Sequence, residues 1–152
     1  MDMKNLSIEI LPRASWMTMF SILVFSWQIT GTFMDFNDNL FLLILGGFLT
    51  VIGMTLWPYI AYYMRKAFFD KTLLTEGPFK YARHPMYTAI YIFLTGLGLI
   101  FFSWLWFVIM VAFLPIWYSI SKIEEKQMSE IYKEKYERYK KNTGMFIPRI
   151  QI

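Results

Sequence analysis

Cysteine is absent from the 152 residues, and histidine occurs once, at His84. The first absence excludes disulfides, thiolate metal sites and a cysteine nucleophile. The second leaves too few ligands for most zinc or haem centres, so no metal is expected. Charge is also scarce, at 17% of residues against 57% hydrophobic and 20% aromatic. It vanishes over long runs: no Asp, Glu, Lys or Arg lies between Arg13 and Asp35, between Asp38 and Arg65, or between His84 and Lys122. A soluble domain of this size seldom has such a composition. Each run can cross about 30 Å of hydrocarbon, and the last can do so twice. The chain reads as an all-α integral membrane protein of about four spans, a single membrane domain with no room for a separate soluble catalytic domain.

The spans are expected at 14–34, 40–64, 86–102 and 104–121. The acidic turn Asp35-Phe36-Asn37-Asp38-Asn39 separates the first two, and Ser103 forms the tip between the last two. The N-terminus carries Asp2 and Glu9 and precedes a long apolar run, so it is expected to act as a signal-anchor and not as a cleaved signal. Of the 15 Lys and Arg residues, 2 precede the first span, 5 lie from Arg65 to Arg83 and 8 from Lys122 to Arg149. The positive-inside rule therefore assigns both termini and the central basic loop to the cytoplasmic side of the membrane. A net charge of +4 is accounted for by that topology, with contact to anionic headgroups, and nucleic acid is not an expected partner. The stretch 123–142 is expected to form a cytoplasmic helix. Its stripe of Met128, Ile131, Tyr132, Tyr136 and Tyr139 would pack on the bundle or lie in the interface.

The spans contain no ionisable acid, base or histidine, and Gln28 is their strongest polar group. Channels, pumps and proton-coupled transporters usually need such groups at membrane depth. Gly46, Gly47, Gly53, Gly96 and Gly98 are expected to serve close helix packing. Polar chemistry is confined to two segments brought to one side by the last hairpin: 77–87, Gly-Pro-Phe-Lys-Tyr-Ala-Arg-His-Pro-Met-Tyr, and Glu124-Glu125 with the helix after it. Each residue alone has an ordinary explanation. Arg83 suits a positive-inside anchor, His84 a helix start before Pro85, Tyr87 an interfacial belt, and the Glu pair a helix N-terminus.

Together, the Arg83-His84-Pro85-Met86-Tyr87 element, the hairpin, Glu124-Glu125 followed by Met128, Tyr132, Tyr136 and Tyr139, and a terminal Phe146-Ile147-Pro148 resemble the isoprenylcysteine carboxyl methyltransferase and phospholipid methyltransferase superfamily. The resemblance covers about Leu74 to Arg149. It implies an integral membrane enzyme that uses S-adenosyl-L-methionine to methylate a lipidic acceptor entering from the bilayer: an isoprenylcysteine carboxylate, a phospholipid amine, or a lipidic phenol or thiol. It also implies a cofactor site built from the last two spans and the C-terminal helix, in keeping with the lack of a Gly-x-Gly-x-x-Gly fingerprint. The candidate catalytic residues are Arg83, His84 and Glu125. The candidate cofactor contacts are Arg83, His84, Tyr87, Glu124, Glu125 and Tyr136, with Trp117 and Tyr118 as further aromatics.

A guanidinium fork suits the cofactor's carboxylate, a glutamate its ammonium or ribose, and an aromatic face its sulfonium. Adjacent helical residues point about 100° apart, so one Glu is expected to face the pocket while the other is solvated or braces a cation. The resemblance implies that both matter, with Glu125 favoured as the cofactor contact. It also puts a small residue two positions after the motif tyrosine, often Gly in the family and Ala89 here. An NADPH-dependent membrane reductase of the sterol or steroid type shares a similar His-Pro-x-Tyr block, and a non-catalytic membrane subunit needs no cofactor at all. The Glu pair and the tyrosine-rich helix favour the methyltransferase.

Overall fold

The computed structural model describes residues 17–25, 38–70, 72–101 and 104–149. All elements among these residues are helical: α1 at 17–25, α2 at Leu40–Asp70, a 3-10 turn at Gly77–Lys80, α3 at Pro85–Ile100 and α4 at Trp104–Asn142. α2 over Leu40–Arg65 and the apolar part of α4 are long and apolar enough to cross a membrane, and α3 is a shorter apolar helix. The other residues of the expected first span, residues 35–37 of the acidic turn, Gln28 and Ser103 lie outside the described residues.

Local chemistry accounts for the helix starts. The Asn39 side chain accepts hydrogen bonds from the backbone N–H groups of Phe41 and Leu42 at 3.1 and 3.3 Å, capping α2. Pro85 occupies the first turn of α3, where its missing N–H costs nothing. The apolar part of α2 ends near Met64 as expected, but the helix itself continues through Arg65 and Lys66 to Asp70. Charge marks where the solvent changes, and it does not by itself stop a helix.

α2 and α3 lie against each other through glycines. A Cβ on Gly46 would sit 2.8 Å from the Gly96 carbonyl oxygen, and one on Gly53 would sit 2.7 Å from the Phe93 Cα. No side chain fits there, so the two backbones approach as small residues allow. Gly98 makes room for the Trp106 indole, whose Nε1–H donates to the Leu94 carbonyl at 2.9 Å and ties α4 to α3. Gly47 faces open space, which corrects the expectation that it serves packing.

The core gathers Met19 and Leu23 of α1 with Tyr87 and Leu94 of α3 and Trp106, Met110, Phe113, Trp117 and Ile120 of α4. Outside it the distribution is inverted relative to a soluble protein: Phe41, Ile44, Phe48, Val51, Met54 and Trp57 on α2, with Val108 and Val111 on α4, are all more than half exposed. Apolar surface on that scale is what a bilayer covers.

The largest departure from expectation is at the end of the last span. No break separates a span ending at 121 from a new helix at 123, because α4 runs on without interruption to Lys133. There the backbone turns out of the helix, with φ 47° and ψ −126°. Along a straight helix Glu125 and Lys140 would stand about 22 Å apart, yet Arg83 reaches both the Glu125 carboxylate and the Lys140 carbonyl. The chain after Lys133 therefore folds back beside the chain before it. The bend divides the expected apolar stripe: Tyr136 is buried after it, whereas Ile131, before it, is exposed.

Candidate functional site

The fold-back brings three stretches together below the membrane-facing bundle: the 82–88 segment, the α4 turn at 121–125, and residues 139–146. Two backbone bonds lace the first to the third, from Arg83 N–H to the Gly144 carbonyl and from His84 N–H to the Met145 carbonyl, each 2.9 Å. The Thr88 hydroxyl donates to the Phe146 carbonyl at 2.6 Å, and the Tyr139 hydroxyl donates to the Phe79 carbonyl at 2.6 Å. Gly144 is required here, since a Cβ would collide with the Ile147 carbonyl oxygen.

Inside this clamp the charged groups alternate in sign. Arg83 Nε donates to Glu125 Oε1 at 2.7 Å, and one of its terminal nitrogens donates to the Lys140 and Thr143 carbonyls. His84 Nδ1 lies 3.2 Å from Glu124 Oε2, and its Nε2 lies 3.6 Å from Glu125 Oε1. The Tyr87 hydroxyl donates to Glu124 Oε1 at 3.1 Å. The His84 ring is flanked by Tyr87 and Phe146, with centroids 5.8 and 5.9 Å away.

Glu125 is 2% exposed. Burial alone would push its carboxyl up, but hydrogen bonds and charge from His84 and Arg83 outweigh this and hold it at about 2, so it is anionic at any physiological pH. Burial likewise opposes the His84 imidazolium. The two glutamates outweigh it and raise the histidine above 6.5, favouring the doubly protonated, donor-only ring. Burial and the Glu125 carboxylate outweigh the opposing Arg83 cation and push the Tyr136 phenol up, so that it stays protonated.

Of the residues singled out in the sequence, the structure brings Arg83, His84, Tyr87, Glu124 and Glu125 into one network. Tyr136 is buried beside Tyr139. Trp117 packs against Tyr87 and Tyr91 at 5.6 and 4.5 Å. Tyr118 is not brought in: it is exposed, with Lys122 Nζ 5.3 Å over its ring. Of the two glutamates, Glu125 is the buried one, while Glu124, with its side chain 22% exposed, braces the His84 ring. His84 lies between them, with Glu124 held by Tyr87 and Glu125 by Arg83. Much of the Arg83 guanidinium is taken up by partners within the chain, leaving less of it for an external carboxylate than a forked pair would use. Ala89, at the small-residue position, is 1% exposed.

Thr88, Thr143 and Ser121 were not singled out in the sequence. Only Ser121 had a readable signal, lying one helical turn before Glu125 on the same face.

Three polar atoms in this region are buried and have no hydrogen-bond partner among the described residues: His84 Nε2, Glu125 Oε2 and Ser121 Oγ. Native structures rarely leave such atoms orphaned, and a cluster of them points to a bound polar group. A donor ring nitrogen and an acceptor carboxylate oxygen side by side match a molecule that carries an acceptor and a donor close together. The amino-acid end of S-adenosyl-L-methionine is of that kind, so these residues fit that cofactor.

The model of the phospholipid methyltransferase family matches residues 39–135, which span α2, the Arg-His-Pro-x-Tyr block and the Glu pair. The chain belongs to the phospholipid methyltransferase family. This is a family of membrane methyltransferases, and the apolar exterior of α2 and α4 agrees with that setting. The family match ends before Tyr136, so the clamp made by 139–146 lies beyond the matched region. No curated protein and no solved structure matches the chain.

Proposed function

We propose that the protein transfers a methyl group from S-adenosyl-L-methionine to an amphiphilic acceptor that reaches the site from the bilayer. The observation that carries this reading is the closed network of Arg83, His84, Tyr87, Glu124 and Glu125 around orphaned buried polar atoms, at the end of an apolar bundle. Four spans with the network on the cytoplasmic face complete the reading, since all the Lys and Arg residues fall on the side assigned to the network.

The cofactor, when bound, supplies an electrophilic methyl on a sulfonium. The protein's own residues bind, orient and exclude water. His84 Nε2–H suits the carboxylate, and Glu125 Oε2 suits the ammonium. Arg83 holds Glu125 in place and ties it to the 140–143 backbone, so its main work is positioning. Trp117, Tyr87 and Phe146 line the apolar side. In-line displacement at carbon gains most from alignment in a dry, preorganised pocket.

Charge distribution also limits the acceptor chemistry. A general base must be able to take a proton, whereas the two carboxylates beside His84 favour its protonated form, and Glu125 is too weakly basic at about 2. The site therefore suits an acceptor that arrives deprotonated, such as a carboxylate, or one that loses its proton to solvent.

Calorimetric binding to detergent-purified protein tests the reading, with S-adenosyl-L-methionine and S-adenosylhomocysteine as ligands, NADPH as the control, and Glu125→Ala and Arg83→Ala as variants. Binding of the sulfonium or its product, weakened in both variants, supports it. Binding of NADPH alone would replace it with a reductase, and no binding by folded protein would leave a non-catalytic membrane subunit.

A further inference from the structure

Along one face of α4, Trp117, Ser121 and Glu125 recur at every fourth residue, and all three are at most 2% exposed. Ser121 is 0% exposed. A serine in a helix ordinarily returns its hydroxyl to the carbonyl one turn back. Ser119 does so, donating to the Pro115 carbonyl at 2.8 Å, and Thr50 and Thr95 do so in α2 and α3. Ser121 does not: its Oγ has no hydrogen-bond partner among the described residues. A hydroxyl enclosed in this way gives up its bonds to water and gains none in return, so packing alone gives no reason for serine at this position.

Residues four apart on a helix have Cβ atoms about 6 Å apart. Ser121 therefore stands one turn on the bundle side of Glu125, whose Oε2 has no hydrogen-bond partner among the described residues and lies 3.8 Å from Lys122 Nζ, a half-exposed cation that a ligand ammonium would replace. The next turn is closed by the Trp117 indole against Tyr87 and Tyr91. A ligand group between Ser121 and Glu125 meets one anionic acceptor and one hydroxyl, and the His84 Nε2 donor lies 3.6 Å from the other oxygen of the same carboxylate. An ammonium bearing several N–H donors on the same carbon as a carboxylate satisfies all three.

Building on the methyltransferase reading, we infer that Ser121 is a cofactor-binding residue whose hydroxyl, together with Glu125, holds the α-amino-acid end of S-adenosyl-L-methionine. Its hydroxyl accepts one ammonium proton while Glu125 Oε2 accepts another. The nucleoside end is held elsewhere.

The test compares wild type, Ser121→Ala and Ser119→Ala in full-length detergent-solubilised protein, using two probes: S-adenosylhomocysteine, which carries the amino-acid end, and 5′-methylthioadenosine, which lacks it. Ser121→Ala is expected to weaken S-adenosylhomocysteine roughly tenfold, as the loss of one charge-assisted bond does. It should leave 5′-methylthioadenosine unchanged and should not lower the ligand-free melting temperature, because the hydroxyl has no partner among the described residues to lose. Ser119→Ala should change neither affinity. Undiminished binding of S-adenosylhomocysteine by Ser121→Ala overturns the inference while the methyltransferase reading stands. Equal weakening of both probes overturns the assignment to the amino-acid end. A lowered ligand-free melting temperature would make Ser121 a structural residue instead. Failure of wild type to bind either probe removes the methyltransferase reading, and this inference with it.

Discussion

Replacing Glu125 with Gln keeps the shape of the side chain and removes its charge from beside Arg83 at 2.7 Å, His84 at 3.6 Å and Lys122 at 3.8 Å. Holding the carboxyl at about 2 against an ordinary 4.5 corresponds to about 3 kcal/mol of native-state stability at neutral pH. Removing one partner of a buried pair generally costs a similar amount, roughly 3–5 kcal/mol, because the cations left behind are uncompensated. In a chain of this length about 3 kcal/mol lowers the melting temperature by roughly 6–12 °C. The assay is thermal unfolding of wild type and Glu125→Gln in the same detergent, across pH. Because the folded-state value is depressed, the wild-type advantage is fully present above about 4.5. It is lost as the pH falls toward about 2, so the two curves should converge on acidification. Equal melting temperatures at neutral pH would refute the reasoning, as would a gap that widens in acid.

His84 has the opposite sign. Its folded-state value is raised above 6.5, so its contribution is complete below that pH and is lost as the pH rises through the higher value. Wild type should therefore lose stability on mild alkalinisation, and a melting-temperature profile of His84→Asn should be flatter there. Gly53→Ala should cost about 1–3 kcal/mol, because its Cβ meets Phe93 backbone that cannot move aside, whereas Gly47→Ala should be tolerated; paired denaturation curves compare them. Lys133→Gly should stabilise by about 1 kcal/mol by relieving the left-handed φ of 47°, while Lys133→Pro, whose ring requires a negative φ, should open the fold-back, which proteolysis after residue 133 would report.

Much of this could be read from residue order. Runs without charge give helices with apolar exteriors, and a hairpin between His84 and Lys122 must return the Glu pair to the side where Arg83 lies. The errors have a common physical source. The onset of charge at Lys122 marks a change of solvent, but Ser121-Lys122-Ile123-Glu124 contains no helix breaker, so α4 continues. The bend at Lys133 carries neither glycine nor proline. It is fixed by distant partners, Arg83 on the 140 and 143 carbonyls and Tyr139 on Phe79, and no local pattern encodes those. Helical spacing alone leaves open whether the second glutamate is solvated or braces a cation; that depends on where a third side chain, His84, lies.

The clamp after Lys133 has a consequence for biosynthesis. Arg83 and His84 are translated well before residues 139–146, whose backbone holds them in place, so a nascent chain can place its hydrophobic helices in the bilayer while its polar centre is still unassembled. The centre is completed only after residues 139–146 have been made and have docked on Arg83 and His84. A ribosome stalled shortly before that point would leave an inserted protein with native helices and an unfinished centre.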